Sequence, residues 1–379
     1  MRHLVEQAIN NAYEIAQRSL EDFRGGFPTT YSTNNVYGKA TNYEWTPGFY
    51  TGYLWLLNEY KENPSFLAVL EEHIRSFRER IDQKICTETH DLGFLYSLSC
   101  VAAYKLTGDE FAKETALIAA DELARRFRTN GQFIQAWGKL DVPNNHRLII
   151  DCLLNLPLLY WATEVTGDKK YHEMAYAHLK TALPNIIRGD YSTHHTYYFD
   201  YETGKPSYGA THQGYKNDST WARGQAWGIY GIALSYEYTG DDSLIPLFTG
   251  VTEYFMRYLP IDSIPYWDLT FTEGDEPRDS SAAAIAVCGM LEMKKYIKDE
   301  VYCKKLEEYI ERIISSLIKN YAAKPEDTTN GLLYKGTYGR KSPYNDCPNH
   351  GVDECVLWGD YFYVEALMRI YKPDWKMYW

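Results

Sequence analysis

KLTGDEF (105–111), EVTGDKKY (164–171) and EYTGDDSL (237–244) are three copies of one turn. Each follows an apolar stripe with steps of three and four, such as Leu95, Leu98, Ala102 and Leu106, or Leu154, Leu158, Trp161 and Val165. Those steps fit one face of a helix, and the glycine stops the helix where a left-handed residue is required. Looser copies fit the same frame: GYLWLLNEYKENPSFL (52–67), GMLEMKKYIKDEVY (289–302) and VEALMRIYKPDW (364–375). Six helical hairpins with no long alternating β-type runs between them predict an all-α fold, an (α/α)6 barrel of inner and outer helices forming a single domain over 1–379. An open solenoid would need polar capping repeats at its ends, whereas the last hairpin here is as aromatic as the middle ones. YSTHHTYYFDY (191–201) is the exception. Its β-like composition, followed by Gly204 and Pro206, reads as a hairpin loop over one end of the barrel.

The whole chain narrows the class of function. With 379 residues, 45% of them hydrophobic, it can bury a large core. A formal charge of −12 without clustered Lys and Arg argues against a nucleic-acid partner. The first twenty residues mix Arg2, His3, Glu6 and Glu14 with spaced apolar residues, unlike a signal peptide or a membrane span. Seven cysteines, an odd number without zinc-ligand spacing, point to reduced thiols and a cytoplasmic protein. The 35 Tyr and 10 Trp exceed what a core needs. Their faces suit stacking on sugar rings, or simply an aromatic helical surface; the same exposed aromatics leave monomer and homodimer both open.

What precedes the first helix of each hairpin is chemically rich: Trp45-Thr46-Pro47-Gly48, His90-Asp91, Asp151, Trp221 to Gln225, Arg278-Asp279-Ser280 and Trp358-Gly359-Asp360. In a barrel these all lie at one end, where helix N-termini suit an anionic ligand. Asp91, Asp151, Asp279 and Asp360 can also be read as plain helix caps. Asp151 departs from that reading because Leu148 to Ile150 and Cys152 to Leu154 enclose it. A carboxyl in apolar surroundings loses hydration, its pKa rises, and it can carry a proton near neutral pH. Pro157 places the start of regular helix near Asn155. Asp91 is either a cap or a second carboxylate acting on the first by like-charge repulsion. His194 and His195, near Asp200, lack a third metal ligand at a convincing spacing and read as solvated or substrate-contacting. Arg223, between Trp221 and Trp227, offers a cation among aromatic faces for a uronate carboxylate, or a cation-π core cluster.

The runs TNYEWTPGFYTGYLWL, HDLGFLYSLS, QAWG, IIDCLLNLPLL, HHTYYFD, THQG, STWARGQAWGIYG, RDSSAAAIA and LWGDYFYVEAL closely resemble the unsaturated glucuronyl hydrolases of glycoside hydrolase family 88. They span nearly the whole chain in order. The resemblance implies the same barrel, no metal and no organic cofactor. It places the acid/base aspartate on Asp151, its partner carboxylate on Asp91, and sugar contacts on Trp45, Trp137, His195, Gln213, Arg223 and Tyr338. The implied substrate is an unsaturated acidic disaccharide or oligosaccharide left by a polysaccharide lyase, and the implied reaction is hydration of its C4=C5 vinyl ether. The loop YGRKSPYNDCPNHG (338–351) lacks the Ser-x-x-Ser-x-Lys element of relatives that favour sulfated substrates, although Arg340 and Lys341 remain available to an anion. Competing readings are an unsaturated rhamnogalacturonyl hydrolase, a sugar epimerase using paired histidines, and a non-catalytic sugar-binding barrel.

Overall fold

The computed structural model describes residues 1–379. Its helices are α1 (Arg2–Ser19), α2 (Pro47–Tyr60), α3 (Pro64–Asp82), α4 (Leu92–Tyr96), α5 (Ala102–Thr107), α6 (Glu110–Ala124), α7 (Pro157–Thr166), α8 (Lys169–Ile186), α9 (Ala222–Thr239), α10 (Leu244–Arg257), α11 (Ser280–Met293), α12 (Glu300–Ser316) and α13 (Leu357–Tyr371). A π turn over Ser97–Val101 joins α4 and α5 into one rod.

Burial sorts these helices into two sets. In α9 every residue from Ala222 to Ser235 is buried, and α11 buries all but Leu291; an apolar surface on all sides has to sit inside the molecule. By contrast α3 buries a single stripe, Phe66, Leu70, Ile74, Phe77 and Ile81, and α12 buries Leu306, Ile310, Ile313 and Ile314. The buried helices pack in the order α2, α4, α7, α9, α11, α13, and α13 packs back on α2. Each one-sided helix lies against the buried helix before it in the chain, α3 on α2 and α12 on α11 for example. Close approach of α9 and α11 depends on Gly289, where a Cβ would stand 2.7 Å from the Cα of Tyr230.

The sixth hairpin differs from the sequence reading. No helix follows α13; its outer partner is α1, from the other end of the chain. The repeat at 364–375 supplies an inner helix and its turn, and packing completes the pair. Trp375, Tyr378 and Trp379 then fill the end of the bundle where the inner helices finish, with Lys105 Nζ donating to the Trp379 carbonyl at 2.9 Å.

Beside the helices that dominate the chain, nine short strands in the connecting segments form four antiparallel sheets. They are β1 (Phe27–Pro28) with β2 (Lys39–Ala40), β3 (Phe127–Arg128) with β4 (Phe133–Ile134), β5 (Arg147–Ile149) with β6 (Thr196–Phe199) and β7 (Pro206–Ala210), and β8 (Gly336–Gly339) with β9 (His350–Glu354). The 191–201 segment does enter a hairpin, but as the middle of three strands. Its other neighbour, β5, is too short to show a period of its own. In register, Arg147 faces Tyr198, which faces Tyr208; Ile149 faces Thr196, which faces Ala210.

The repeated turn is built alike three times. Gly108, Gly167 and Gly240 take φ of 72°, 74° and 59°, and a Cβ would meet nothing within 4 Å at any of them. Glycine is there for conformation, not for space. The preceding threonine hydroxyls of Thr107, Thr166 and Thr239 donate to the carbonyls of Ala103, Ala162 and Ser235 at 2.6–2.7 Å. The following aspartates accept from backbone N–H groups, Asp109 from Phe111, Asp168 from Lys170 and Asp241 from Ser243, at 2.9–3.0 Å. Gly→Ala at any of the three therefore raises no clash and costs about 1–2 kcal/mol of left-handed backbone strain, to be read as a lowered denaturant midpoint without loss of activity.

Two buried histidines make the fold acid-sensitive. His178 Nδ1 accepts from the Ile134 N–H at 2.7 Å, and His73 Nδ1 lies 3.0 Å from the Thr51 hydroxyl with its ring stacked on Phe27. Burial lowers both from 6.5 to about 3. The folded state thus binds the proton less readily than the unfolded chain, so their contribution is complete above pH 6.5 and is lost as pH falls towards 3. Each removes about 1.4 kcal/mol per pH unit in that window. His178→Asn, which keeps an acceptor near Nδ1, should flatten the fall in unfolding midpoint between pH 6 and 4 relative to the parent; an unchanged slope would refute the assignment.

Candidate active site

The N-terminal ends of the inner helices converge on a cavity of about 180 Å³ lined by Trp45, His90, Asp91, Trp137, Ile149, Asp151, His195, Gln213, Trp221, Arg223, Trp227 and Tyr338. All eight residues singled out from the sequence lie on its wall. The volume is below the roughly 300–1,000 Å³ of sites that enclose a whole drug-sized ligand. The cavity therefore has room for only part of a ligand of that size. Larger hollows lie elsewhere, such as one of 450 Å³ beside His73 and Arg80. There the Arg80 guanidinium is already committed to the carbonyls of Tyr43, Glu44 and Ile85.

None of the four aspartates caps a helix with its side chain. Asp151 lies in a 3-10 turn, Ile150–Leu154, and α7 begins at Pro157, two residues beyond the expected start. Leu148, Ile150, Cys152, Leu153 and Leu154 all turn into the core. The apolar run is thus not what surrounds the carboxyl, contrary to the sequence argument. Asp151 projects towards His90, whose Nε2 is 3.3 Å from Asp151 Oδ1 and 3.4 Å from Asp91 Oδ1. Asp91 sits at the N-cap of α4 without making a cap bond; it accepts instead from the Thr89 hydroxyl at 2.6 Å.

Charge and burial set proton affinities here. Burial raises the Asp91 carboxyl, with the Asp151 charge adding to it and the His90 charge opposing. Burial pulls His90 down, but the charges of Asp151 and Asp91 outweigh it and leave the imidazole more basic than usual. His90 therefore acts as the bridge between the two carboxylates. Sequence reasoning passed over it as a neighbour of Asp91; the signal was the adjacent His-Asp pair ahead of an apolar helix. A carboxylate oxygen of each aspartate and a ring nitrogen of His90 lie within 4.8 Å of one another, the one three-residue grouping with spacing suited to a cation.

His195 is held neutral. Its Nδ1 accepts from the backbone N–H groups of His212 at 2.9 Å and Gln213 at 3.2 Å, and burial lowers its pKa to about 3. The proton then rests on Nε2, making that nitrogen a donor. His194 points elsewhere, packing against Tyr197 and over Gly209. The two histidines do not face each other as an acid-base pair would.

Arg223 lines the cavity from within its wall. It is 1% exposed, ion-paired with Asp279, and donates to the carbonyls of Thr337 at 2.7 Å and Tyr338 at 2.8 Å. Its guanidinium lies over Trp221 and Trp358, 4.3 and 4.8 Å from the ring centroids. Trp45 Nε1 donates to the Tyr338 hydroxyl at 3.1 Å, and Gln213 Nε2 to the Tyr338 carbonyl at 2.7 Å. Burial raises the Tyr338 phenol to about 12, so it stays protonated. In the 338–351 loop Arg340 Nε lies 3.8 Å from Glu276, and Lys341 Nζ donates to the Asn345 carbonyl.

A helix-rich scaffold with two carboxylates in an aromatic cavity describes a class of sugar-cleaving enzymes. The model of Glycosyl Hydrolase Family 88 matches residues 19–369, and the chain belongs to that family. It is a glycosidase. It is 46% identical over 377 residues to the unsaturated chondroitin disaccharide hydrolase of Streptococcus pneumoniae, covering 99% of this chain and 93% of that protein. It is 41% identical over 373 residues to the unsaturated glucuronyl hydrolase of Bacillus sp. strain GL1, covering 96% of each. The crystal structure of the unsaturated glucuronyl hydrolase from Streptococcus agalactiae superposes with a TM-score of 0.96 at 45% identity, over 100% of this chain and 94% of that one. No helix is long and apolar enough to cross a membrane.

Replacing His90 by Gln removes the positive charge between the carboxylates. Asp91, which that charge holds down, is then easier to protonate, so a limb of the pH–rate profile set by Asp91 should move to higher pH. A profile unmoved in H90Q would mean that the imidazole only fills space.

Proposed function

We propose that this chain releases the terminal unsaturated uronic acid from lyase-generated glycosaminoglycan or related acidic oligosaccharides, with Asp151 as the general acid and base. The observation that carries this reading is the meeting of Asp91 and Asp151 at His90, in an aromatic cavity sized for one end of a substrate. The names of the relatives support the substrate class. The fold we propose is a single (α/α)6-barrel domain over 1–379, supported by the ring of inner-helix contacts. Seven unpaired thiols support a cytoplasmic setting.

The chemistry is addition of water to a vinyl ether. The ring oxygen of the unsaturated uronate pushes electron density to C4, which takes the Asp151 proton and leaves a cation shared between C5 and the ring oxygen. Water adds at C5 and gives a proton back to Asp151, so the carboxyl ends as it began. The C5 hemiketal then opens, the glycosidic bond breaks, and a keto acid leaves. Asp91, raised by burial, and His90 hold the charge of the pair through both transfers. Trp45, Trp137 and Trp221 supply ring faces, and the Gln213, His195 and Tyr338 side chains supply polar contacts. An epimerase would need two opposed acid-base groups, and His194 and His195 do not provide them.

The test follows ultraviolet absorbance of the conjugated C4=C5 bond in unsaturated disaccharides from hyaluronan, chondroitin and heparin. Parent enzyme should bleach the band with or without chelator, and D151N should be slowed about 10³-fold or more, the scale of a general acid-base group. Reducing sugar appearing while the band persists would exclude vinyl-ether hydration. Activity confined to rhamnose-linked substrates would shift the assignment to rhamnogalacturonan fragments, and loss of activity on chelation would move the His90, Asp91 and Asp151 grouping to a cation role.

A further inference from the structure

The three-stranded sheet extends beyond the residues that line the catalytic cavity. Ile149 on β5 lines the cavity. Two residues back along the strand, and so on the same face, is Arg147, in register with Tyr198 and Tyr208. This second row is displaced outward by about 7 Å, two residues of strand. It is aromatic and accessible: the Tyr198 and Tyr208 rings stack at 4.9 Å, Tyr208 is 56% exposed, and Trp137, 46% exposed, lies at the junction of row and cavity.

Beneath these rings is a cation that the fold leaves uncompensated. The Arg147 guanidinium carbon lies 3.6 Å from the Trp137 ring centroid and 5.5 Å from that of Tyr198. Nη1 donates to the Asn144 carbonyl at 3.0 Å and to the Tyr198 hydroxyl at 3.4 Å; Nη2 is buried with no partner, and no carboxylate pairs with the group. Arg147 is 6% exposed. A buried charge normally has an opposite charge beside it, and every other buried arginine at the cavity end, Arg223 foremost, spends its donors on protein acceptors. Arg147 instead packs against the Trp137 and Tyr198 rings and lends a positive field to the exposed surfaces of Trp137 and Tyr208 beside it.

We infer that Trp137, Tyr198 and Tyr208, backed by Arg147, form an outer subsite that binds a third, acidic sugar ring of an unsaturated oligosaccharide while the first occupies the cavity. The inference rests on the proposed exo-acting function and extends it: chains of alternating uronate and amino sugar place a carboxylate on the third ring. Aromatic faces bind that ring by stacking, and the field of Arg147 selects for its charge.

The experiment measures calorimetric binding of an unsaturated disaccharide and the matching tetrasaccharide from unsulfated chondroitin, in an Asp151→Asn background that leaves both uncleaved. The tetrasaccharide should bind more tightly, and adding Tyr208→Ala should weaken it about three- to tenfold, the range of one aromatic contact, leaving the disaccharide unchanged. Tyr208→Trp should restore the difference. Arg147→Gln should remove the extra salt dependence of the tetrasaccharide. If Tyr208→Ala leaves the ratio of the two affinities unchanged, the outer subsite is wrong while the function stands; if neither saccharide binds, the function and the subsite fall together.

Discussion

The buried ion pair between Arg223 and Asp279 is the interaction on which the cavity depends. Its two members begin neighbouring inner helices, α9 and α11, and neither reaches solvent. Removing one partner from such a pair leaves an uncompensated charge in a low-dielectric interior and costs about 3–5 kcal/mol. The helix starts are therefore tied together at the level where the substrate must sit. From the same guanidinium two more bonds run to the backbone of β8, which places Tyr338, and Tyr338 in turn meets Trp45 and Gln213. One charge thus orders the wall contributed by four separate segments.

That arrangement assigns different work to cations that look alike in sequence. Arg223 is consumed by the scaffold, and so is Arg80, whose donors serve the carbonyls ahead of α2 and after α3. His90 is placed between two acids, where its charge holds together carboxylates that would otherwise repel. Arg147, with Nη2 unpartnered and no carboxylate beside it, keeps a field to spare. A chain carrying a formal charge of −12 can receive an acidic sugar only where such local positive potential is concentrated.

Stability and chemistry are separated between the two ends of the inner helices. Where the inner helices end, Arg369 links Glu365 and Glu292 to Tyr230, and Trp379 closes the end by stacking on Phe362. Those polar groups satisfy one another and are sealed from water. Where the helices begin, polar side chains line a cavity, and buried atoms of these residues, among them Asp151 Oδ1 and His90 Nδ1, have no hydrogen-bond partner. Unspent hydrogen-bonding capacity inside the cavity, set against a mutually satisfied cluster of Arg369, Glu365, Glu292 and Tyr230, is what lets a rigid scaffold carry a reactive site.

The sequence by itself determined the helices, their turns and the identity of the residues around the cavity. Thr-Gly-Asp turns and apolar stripes are local signals, because a left-handed glycine and a helix face are set within a few residues. Residues that begin successive inner helices meet at one end for the same reason: alternating helix directions follow from short turns. What only the tertiary structure decided depended on contacts between distant segments. The pairing of α1 with α13 closes a ring across the 337 residues of chain between them, and no local pattern records it. Strand β5 is three residues long and exists because β6 lies beside it. The apolar run around Asp151 suggested a desolvated carboxyl, but a 3-10 turn directs that side chain away from its neighbours and towards His90. Whether a charge is free or spent is likewise a property of its surroundings: Arg223 and Arg147 differ by the position of one carboxylate, Asp279, which belongs to another helix.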